Sequence, residues 1–198
     1  MMQIPETNVA SNVATNVATN VATNVATNVA TKLASEFVTN WATEPQLPKV
    51  EDIRGAYQFL GTQRYFIDTN ILVYADSADE PVKQRAALNI LRHIRQANRG
   101  VLSTQVLTEY CNVALKKLGM PHADVRQQLR FWQQFEVVQV TASLVHEALD
   151  IQQTRGISYF DALIVAAAQI SGCHILLSED MHHSGSINGV KIVNPFAN

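Results

Sequence analysis

From residue 64 onward, short apolar runs of strand length alternate with longer stretches whose apolar residues recur at helical spacing. That alternation restricts the chain to few folds, because strands separated by helices need crossover connections and give a mostly parallel sheet covered on both faces. Tyr65-Phe66-Ile67 reads as a short buried strand, followed by a helical turn over Ile71 to Ala75. Between Glu80 and Asn98, Ala87, Leu88, Leu91 and Ile94 form one apolar face, with Pro81 suited to the first turn and Gly100 to the C-terminal cap. Val101-Leu102 resumes a strand. Ser103 or Thr104 then caps a helix to about Leu118, where Gly119 and Pro121 break it, and a second helix covers His122 to Gln134. Glu136 to Val140 reads as strand, Thr141 caps a helix to about Arg155, and Gly156 stops it. Ser158 opens a helix over Tyr159 to Ile170, and strands follow at His174 to Leu177 and Lys191 to Val193. The expected class is α/β, a three-layer α/β/α sandwich with a mostly parallel central sheet.

A low-complexity N-terminal extension precedes this pattern. From Thr7 to Ala30 the tetrapeptide Thr-Asn-Val-Ala recurs six times, with Ser11 the single deviation. On a helix a four-residue period advances each valine by about 40° per repeat, so the stripe of small residues drifts and has little to bury. Thr, Asn and Val are mediocre helix formers, and the unit is far shorter than solenoid repeats. Residues 1–31 are therefore expected to be disordered, and 32–62 to form a linker with one short helix on Val50, Ile53, Tyr57 and Leu60. A domain over 63–198 is expected to carry the chemistry.

The opening residues lack the basic flank and continuous apolar run of a secretory signal, and the most apolar segment, Ala162 to Leu177, is interrupted by Gln169, Ser171, Gly172 and His174. A cytoplasmic protein with no membrane association is the expectation. Cys111 and Cys173 are the two thiols. Neither has metal-ligand spacing, and both read as reduced, buried small hydrophobes.

Four acidic residues sit at structural joints beside apolar runs: Asp68 and Asp180 just past predicted strands, Glu109 and Asp161 within the first two turns of predicted helices. Ligands in such folds bind at the carboxyl ends of strands, where all four could converge. Gathered carboxylates repel and raise one another's pKa values. A hard divalent cation with oxygen ligands resolves that cost and points to metal-assisted chemistry.

At these residues the chain resembles the PIN-domain nucleases, and among them the VapC-like toxins of toxin–antitoxin pairs. The likeness spans roughly Arg64 to Asn198 and rests on Phe66-Ile67-Asp68-Thr69-Asn70, Glu109, Phe160-Asp161-Ala162-Leu163-Ile164 with Ala166-Ala167-Ala168, and Leu177-Ser178-Glu179-Asp180. The closing Gly189-Val190-Lys191-Ile192-Val193-Asn194-Pro195-Phe196 is similar to the family's last strand. The resemblance implies a PIN-like fold in which Asp68, Glu109, Asp161 and Asp180 ligate Mg²⁺ or Mn²⁺, supported by Asn70 and Ser178. It implies hydrolysis of RNA by metal-activated water, a cognate antitoxin protein whose tail enters the acidic groove, and a homodimer.

Each residue also has a plainer reading. Asp161 lies three after Ser158 and suits a capping box, Glu109 can be a helix-surface acid, and Asp180 a turn residue. Asp76, Asp79, Glu80 and Glu179 read as surface or capping groups, with Asp76 or Glu179 at the rim of the pocket. His182-His183 are adjacent and point apart in regular structure, which disfavours a shared metal. Phe131, Trp132 and Phe135 read as core or interface.

The formal net charge is −2, yet from Tyr65 onward 11 Lys/Arg face 12 Asp/Glu, and setting the four candidate ligands aside leaves 11 against 8. Arg85, Arg92, Arg95 and Arg99 lie near one helix face, where a phosphate track and a solvated face are equal readings. Two other functions compete with the nuclease: a non-catalytic PIN-fold scaffold for protein binding, and a phosphorylated receiver-like domain, for which Lys191 is poorly placed.

Overall fold

The computed structural model describes residues 62–181 and 185–197. The tetrapeptide repeat, the short helix expected before Gly61 and the His182-His183 pair lie outside them. The described elements run β1 (Tyr65–Ile67), α1 (Thr69–Asp76), α2 (Pro81–Gln96), β2 (Gly100–Ser103), α3 (Thr104–Lys116), α4 (His122–Trp132), β3 (Glu136–Val138), α5 (Ala142–Arg155), α6 (Tyr159–Ile170), β4 (Ile175–Leu177), β5 (Ser186–Ile187) and β6 (Val190–Val193). The strands form one sheet in the order β3-β2-β1-β4-β6-β5, parallel except for the β5–β6 pair.

Right-handed crossovers sort the helices into layers. The chain moves outward from β1 through β2 to β3, then returns across the sheet to β4. The connections carrying α1 to α4 therefore cover one face, and α5 with α6 covers the other. The packing agrees, since α1 meets α2 and α3, α3 meets α4, and α5 lies along α6. The core strands β1 and β4 are buried at every residue and need no alternation, as expected of a sheet covered on both faces. Helix α6 is almost wholly apolar, with Ala162 through Ala168 all buried.

Side-chain caps start four of the helices as their local chemistry requires. Ser103, Thr141 and Ser158 each accept a hydrogen bond from the amide three residues on, and Asp68 caps α1 through the Thr69 amide. Gly156 ends α5 in the left-handed region at φ 67°.

Gly100 departs from the sequence expectation. Ala97 caps α2, Asn98 takes the left-handed turn at φ 53°, and Gly100 is the first residue of β2. A Cβ there would fall 2.4 Å from the Phe135 ring and 2.9 Å from Ile94, so the glycine exists for close packing rather than for capping. Trp132 is 0% exposed and Phe135 is buried beside it, which removes both from any partner surface.

Asp76 also departs from expectation. It accepts hydrogen bonds from the Tyr110 hydroxyl at 2.5 Å and from Gln128 Nε2 at 2.5 Å, tying the end of α1 to α3 and α4. Burial pushes its carboxyl up to about 6, against those two hydrogen bonds. It is a structural clasp, not a surface acid. Cys111 and Cys173 are free; Cys173 is buried as expected, whereas Cys111 is only partly buried, and burial pushes both thiols up. Among the described residues no helix is long and apolar enough to cross a membrane.

Candidate active site at the carboxyl edge of the sheet

The strand order reverses between β1 and β4, which are neighbours in the sheet but lead to crossovers on opposite faces. Such a switch point opens a crevice beyond the carboxyl ends of the two strands. Ile67 pairs with Leu177 at that end, and the Asp68 amide donates to the Leu177 carbonyl at 3.0 Å. The next residues of each strand, Asp68 and Ser178, are thus brought side by side.

Asp68 is 7% exposed and carries three hydrogen bonds. Its Oδ1 accepts from the Thr69 amide at 2.6 Å, and its Oδ2 accepts from Ser178 Oγ at 2.6 Å and Asn70 Nδ2 at 3.1 Å. Asn70 Nδ2 also reaches Ser178 Oγ and Asp180 Oδ2, each at 3.3 Å. One amide group therefore links the acids that follow β1 and β4. Burial and the charges of Glu109 and Asp180 push the Asp68 carboxyl up to about 6, while the Ser178 and Thr69 hydrogen bonds pull it down.

Glu109 enters from α3. Thr69 Oγ1 donates to its Oε2 at 3.0 Å and Gln105 Nε2 to its Oε1 at 2.9 Å. Gln105 Nε2 also donates to the Phe160 carbonyl at 3.3 Å, so this side chain joins α3 on one face of the sheet to α6 on the other. Because α6 precedes β4 and runs against it, its first turn lies at the same edge. Asp161 is in that turn, its amide donating to Ser158 Oγ at 3.1 Å. Its carboxylate shares no hydrogen bond with the other three acids among the described residues. The N-termini of α1, α3 and α6 all face this edge, and their partial positive charge offsets part of the carboxylate repulsion.

The six residues singled out by sequence are thus connected to different degrees: Asp68, Asn70, Ser178 and Asp180 by direct hydrogen bonds, Glu109 through Thr69, and Asp161 through Gln105 and the backbone of Phe160. Sequence reading missed Thr69 and Gln105. The i,i+4 spacing of Gln105 and Glu109 on one helix was the available signal. At the rim, Glu179 pairs with Lys83 at 2.9 Å and accepts from the Tyr74 hydroxyl. Burial raises the Glu179 carboxyl, but the Lys83 and Tyr74 contacts outweigh it and hold it below its usual range. The α2 arginines do not make a uniform phosphate track, since Arg95 packs over the Phe131 ring at 4.9 Å.

A family model described as PIN domain matches residues 65–184, more than half of the chain. The chain belongs to the PIN-domain family. PIN domains are in general nucleases, and the crevice just described is where this one gathers its acidic groups. Among solved structures, a chain of a toxin–antitoxin complex from Klebsiella pneumoniae is similar in fold, with 20% identity, a TM-score of 0.51, and coverage of 67% of this PIN protein and 98% of that chain. At that identity the likeness speaks for the fold alone. No curated protein sequence matches the chain.

The donor set is all oxygen, which suits a hard cation. Among the described residues no three His, Cys, Asp or Glu side chains are grouped closely enough to hold one ion between them. Mg²⁺ keeps several waters and is commonly held by one or two carboxylates plus substrate oxygens, so it does not need such a cage. Asp68 and Asp180, bridged by Asn70, with Glu109 one hydroxyl away, fit that demand.

Proposed function

We propose that this PIN-domain protein is a metal-dependent endoribonuclease and the toxin of a toxin–antitoxin pair. The observation that carries the reading is Asp68, a buried carboxylate at the sheet's switch point whose charge is opposed by Glu109 and Asp180. An acid held in that environment is stabilised by a cation and otherwise costs free energy. Asp68 and Asp180 would hold Mg²⁺ or Mn²⁺ directly, with Glu109 and Asp161 acting through the waters that the ion keeps. The ion supplies Lewis-acid activation of water and neutralises charge on the phosphate. Ser178 and Asn70 orient the Asp68 carboxylate, and Thr69 and Gln105 orient Glu109. No side chain is assigned as general base.

The fold likeness to a chain from a toxin–antitoxin complex supports an antitoxin as partner, offering a basic group to the acidic crevice. A homodimer and a cytoplasmic location complete the proposal. The test is incubation of the purified protein with a mixed RNA substrate in Mg²⁺ or Mn²⁺ and in chelator. Cuts that appear with metal and vanish with chelator are expected. Metal binding without cleavage of any RNA would instead favour a non-catalytic scaffold.

A further inference from the structure

Lys83 is the third residue of α2, and a cation in the first turn of a helix is opposed by the helix dipole. The contacts that offset this cost lie mostly outside α2. The Lys83 ammonium meets both oxygens of Glu179, at 2.9 and 3.2 Å, donates to the Tyr74 hydroxyl at 3.1 Å, and lies 4.5 Å from the centre of the Tyr74 ring. The Tyr74 hydroxyl in turn donates to Glu179, and Phe196 stands edge-on against the Tyr74 ring at 5.0 Å between centroids. Glu80 also pairs with Lys83 at 3.1 Å, but its side chain is 48% exposed and such a surface pair contributes little. Side chains of α1, α2 and the segment after β6 thus converge on one carboxylate of the turn that follows β4. Asp180 is the next residue of that turn. On its crevice side the turn is held by longer bonds: the Glu179 amide to Asn70 Oδ1 at 3.4 Å, Asn70 Nδ2 to Asp180 Oδ2 at 3.3 Å, and the Met181 amide to Ser178 Oγ at 3.4 Å. Protein N–H···O bonds usually span about 2.7–3.2 Å, so these three are weak.

We infer that Lys83 is a positioning residue for the metal site: with Tyr74 it clamps Glu179, and through Glu179 it fixes the turn that presents Asp180 to the cation. The inference rests on the metal site of the nuclease reading and deepens it by naming what holds one ligand in place. A metal ligand must be kept within about 0.5 Å of its working position. Among the described residues the Asp180 carboxylate has one hydrogen bond, the long one from Asn70, which does not supply that precision. The Glu179 clasp does, because its bonds are short and charge-assisted and because it sits one residue away. A plain charge effect has the opposite sign. Deleting a positive charge beside an acidic crevice, and leaving the Glu179 carboxylate unpaired, would by itself draw a divalent cation in more strongly. The direction of the change in metal affinity therefore separates the two roles.

Mn²⁺ binding to the metal-free, full-length protein is titrated by electron paramagnetic resonance, which reads free Mn²⁺ and needs no RNA. Lys83→Met, which keeps the stem and loses the charge, should bind Mn²⁺ about tenfold more weakly, the lower end of the loss when a group behind a metal ligand is removed. Lys83→Arg should restore binding, because the guanidinium fork also spans both oxygens of a carboxylate. Tyr74→Phe, which keeps the ring against Phe196 and drops only the hydroxyl, should weaken binding in the same direction. Unchanged or tighter binding by folded Lys83→Met, or no recovery in Lys83→Arg, would overturn the inference, and so would a wild type that binds no Mn²⁺. RNA cleavage by the wild type is scored separately. Metal-dependent cutting with equal Mn²⁺ binding by Lys83→Met removes the positioning role and leaves the nuclease standing, whereas weaker binding by Lys83→Met in a protein that cuts no RNA keeps the positioning role and removes the nuclease.

Discussion

Asp68→Asn should reduce RNA cleavage by at least about two orders of magnitude, the scale seen when one electrostatic group is taken from a hydrolytic site, while the fold survives. The substitution preserves shape but removes the charge that a cation needs. Its effect on stability has the opposite sign to that of most core changes. Burial pushes the folded Asp68 carboxyl up to about 6 from its ordinary 3.8, so between those values the native state holds more protons than the unfolded chain. Stability of the metal-free wild type must therefore fall as pH rises through that window. The variant lacks this loss and at pH 7 should be more stable by roughly 1–2 kcal/mol. The gain is held below the full value because the new amide places a donor against Asn70 Nδ2, which now donates to Asp68 Oδ2. Asp76, with its own raised pKa, keeps part of the pH slope in both proteins. Calorimetry from pH 4 to 7 with and without Mg²⁺ reads all of this, with metal stabilising wild type and leaving the variant unmoved. Destabilisation of the metal-free variant at pH 7 would contradict the account of Asp68.

Asp76→Ala should cost about 2–4 kcal/mol in urea unfolding, because the Tyr110 hydroxyl and Gln128 Nε2 would each lose a buried acceptor. Asp76→Asn should cost far less. Gln128 Oε1 is buried without a hydrogen-bond partner, so turning that amide over presents an acceptor to the new NH₂ group while the asparagine oxygen still receives Tyr110. Equal losses for the two variants would show that the carboxylate's charge, which both remove, rather than its hydrogen-bonded shape, holds α1 to α3 and α4. The clasp also bears on the site, since Asp68 caps the start of α1 and α3 carries Glu109 beside Tyr110.

What the sequence made legible was whatever local chemistry decides. Helix α6 runs from Tyr159 to Ile170 as its Ser158 cap and apolar pattern require, and Thr141 and Gly156 bound α5 as expected. The hairpin of β5 and β6 was legible but overlooked. Asn188 and Gly189 both take positive φ, 50° and 85°, the two-residue turn that an Asn-Gly pair signals. Gly100 misled because a glycine after a helix suits a cap, whereas the ring that excludes a Cβ belongs to Phe135, distant in sequence. Asp76 was not legible either. Its partners lie 34 and 52 residues away, and no spacing rule reaches that far. In the candidate site, the positions of the four acids at strand ends and helix starts could be read, but the amide of Asn70 and the bridge of Gln105 between the two helix layers exist only in three dimensions.

Cleavage of a mixed RNA substrate in Mn²⁺ by wild-type protein and by Asp161→Asn tests the central claim most directly. Asp161 is the acid joined to the others only through Gln105 and the Phe160 backbone. Neutralising it should abolish the metal-dependent cuts and leave the melting temperature of the metal-free protein within a few degrees of wild type. Undiminished cutting by folded Asp161→Asn would contradict a catalytic centre built from all four acids at this edge.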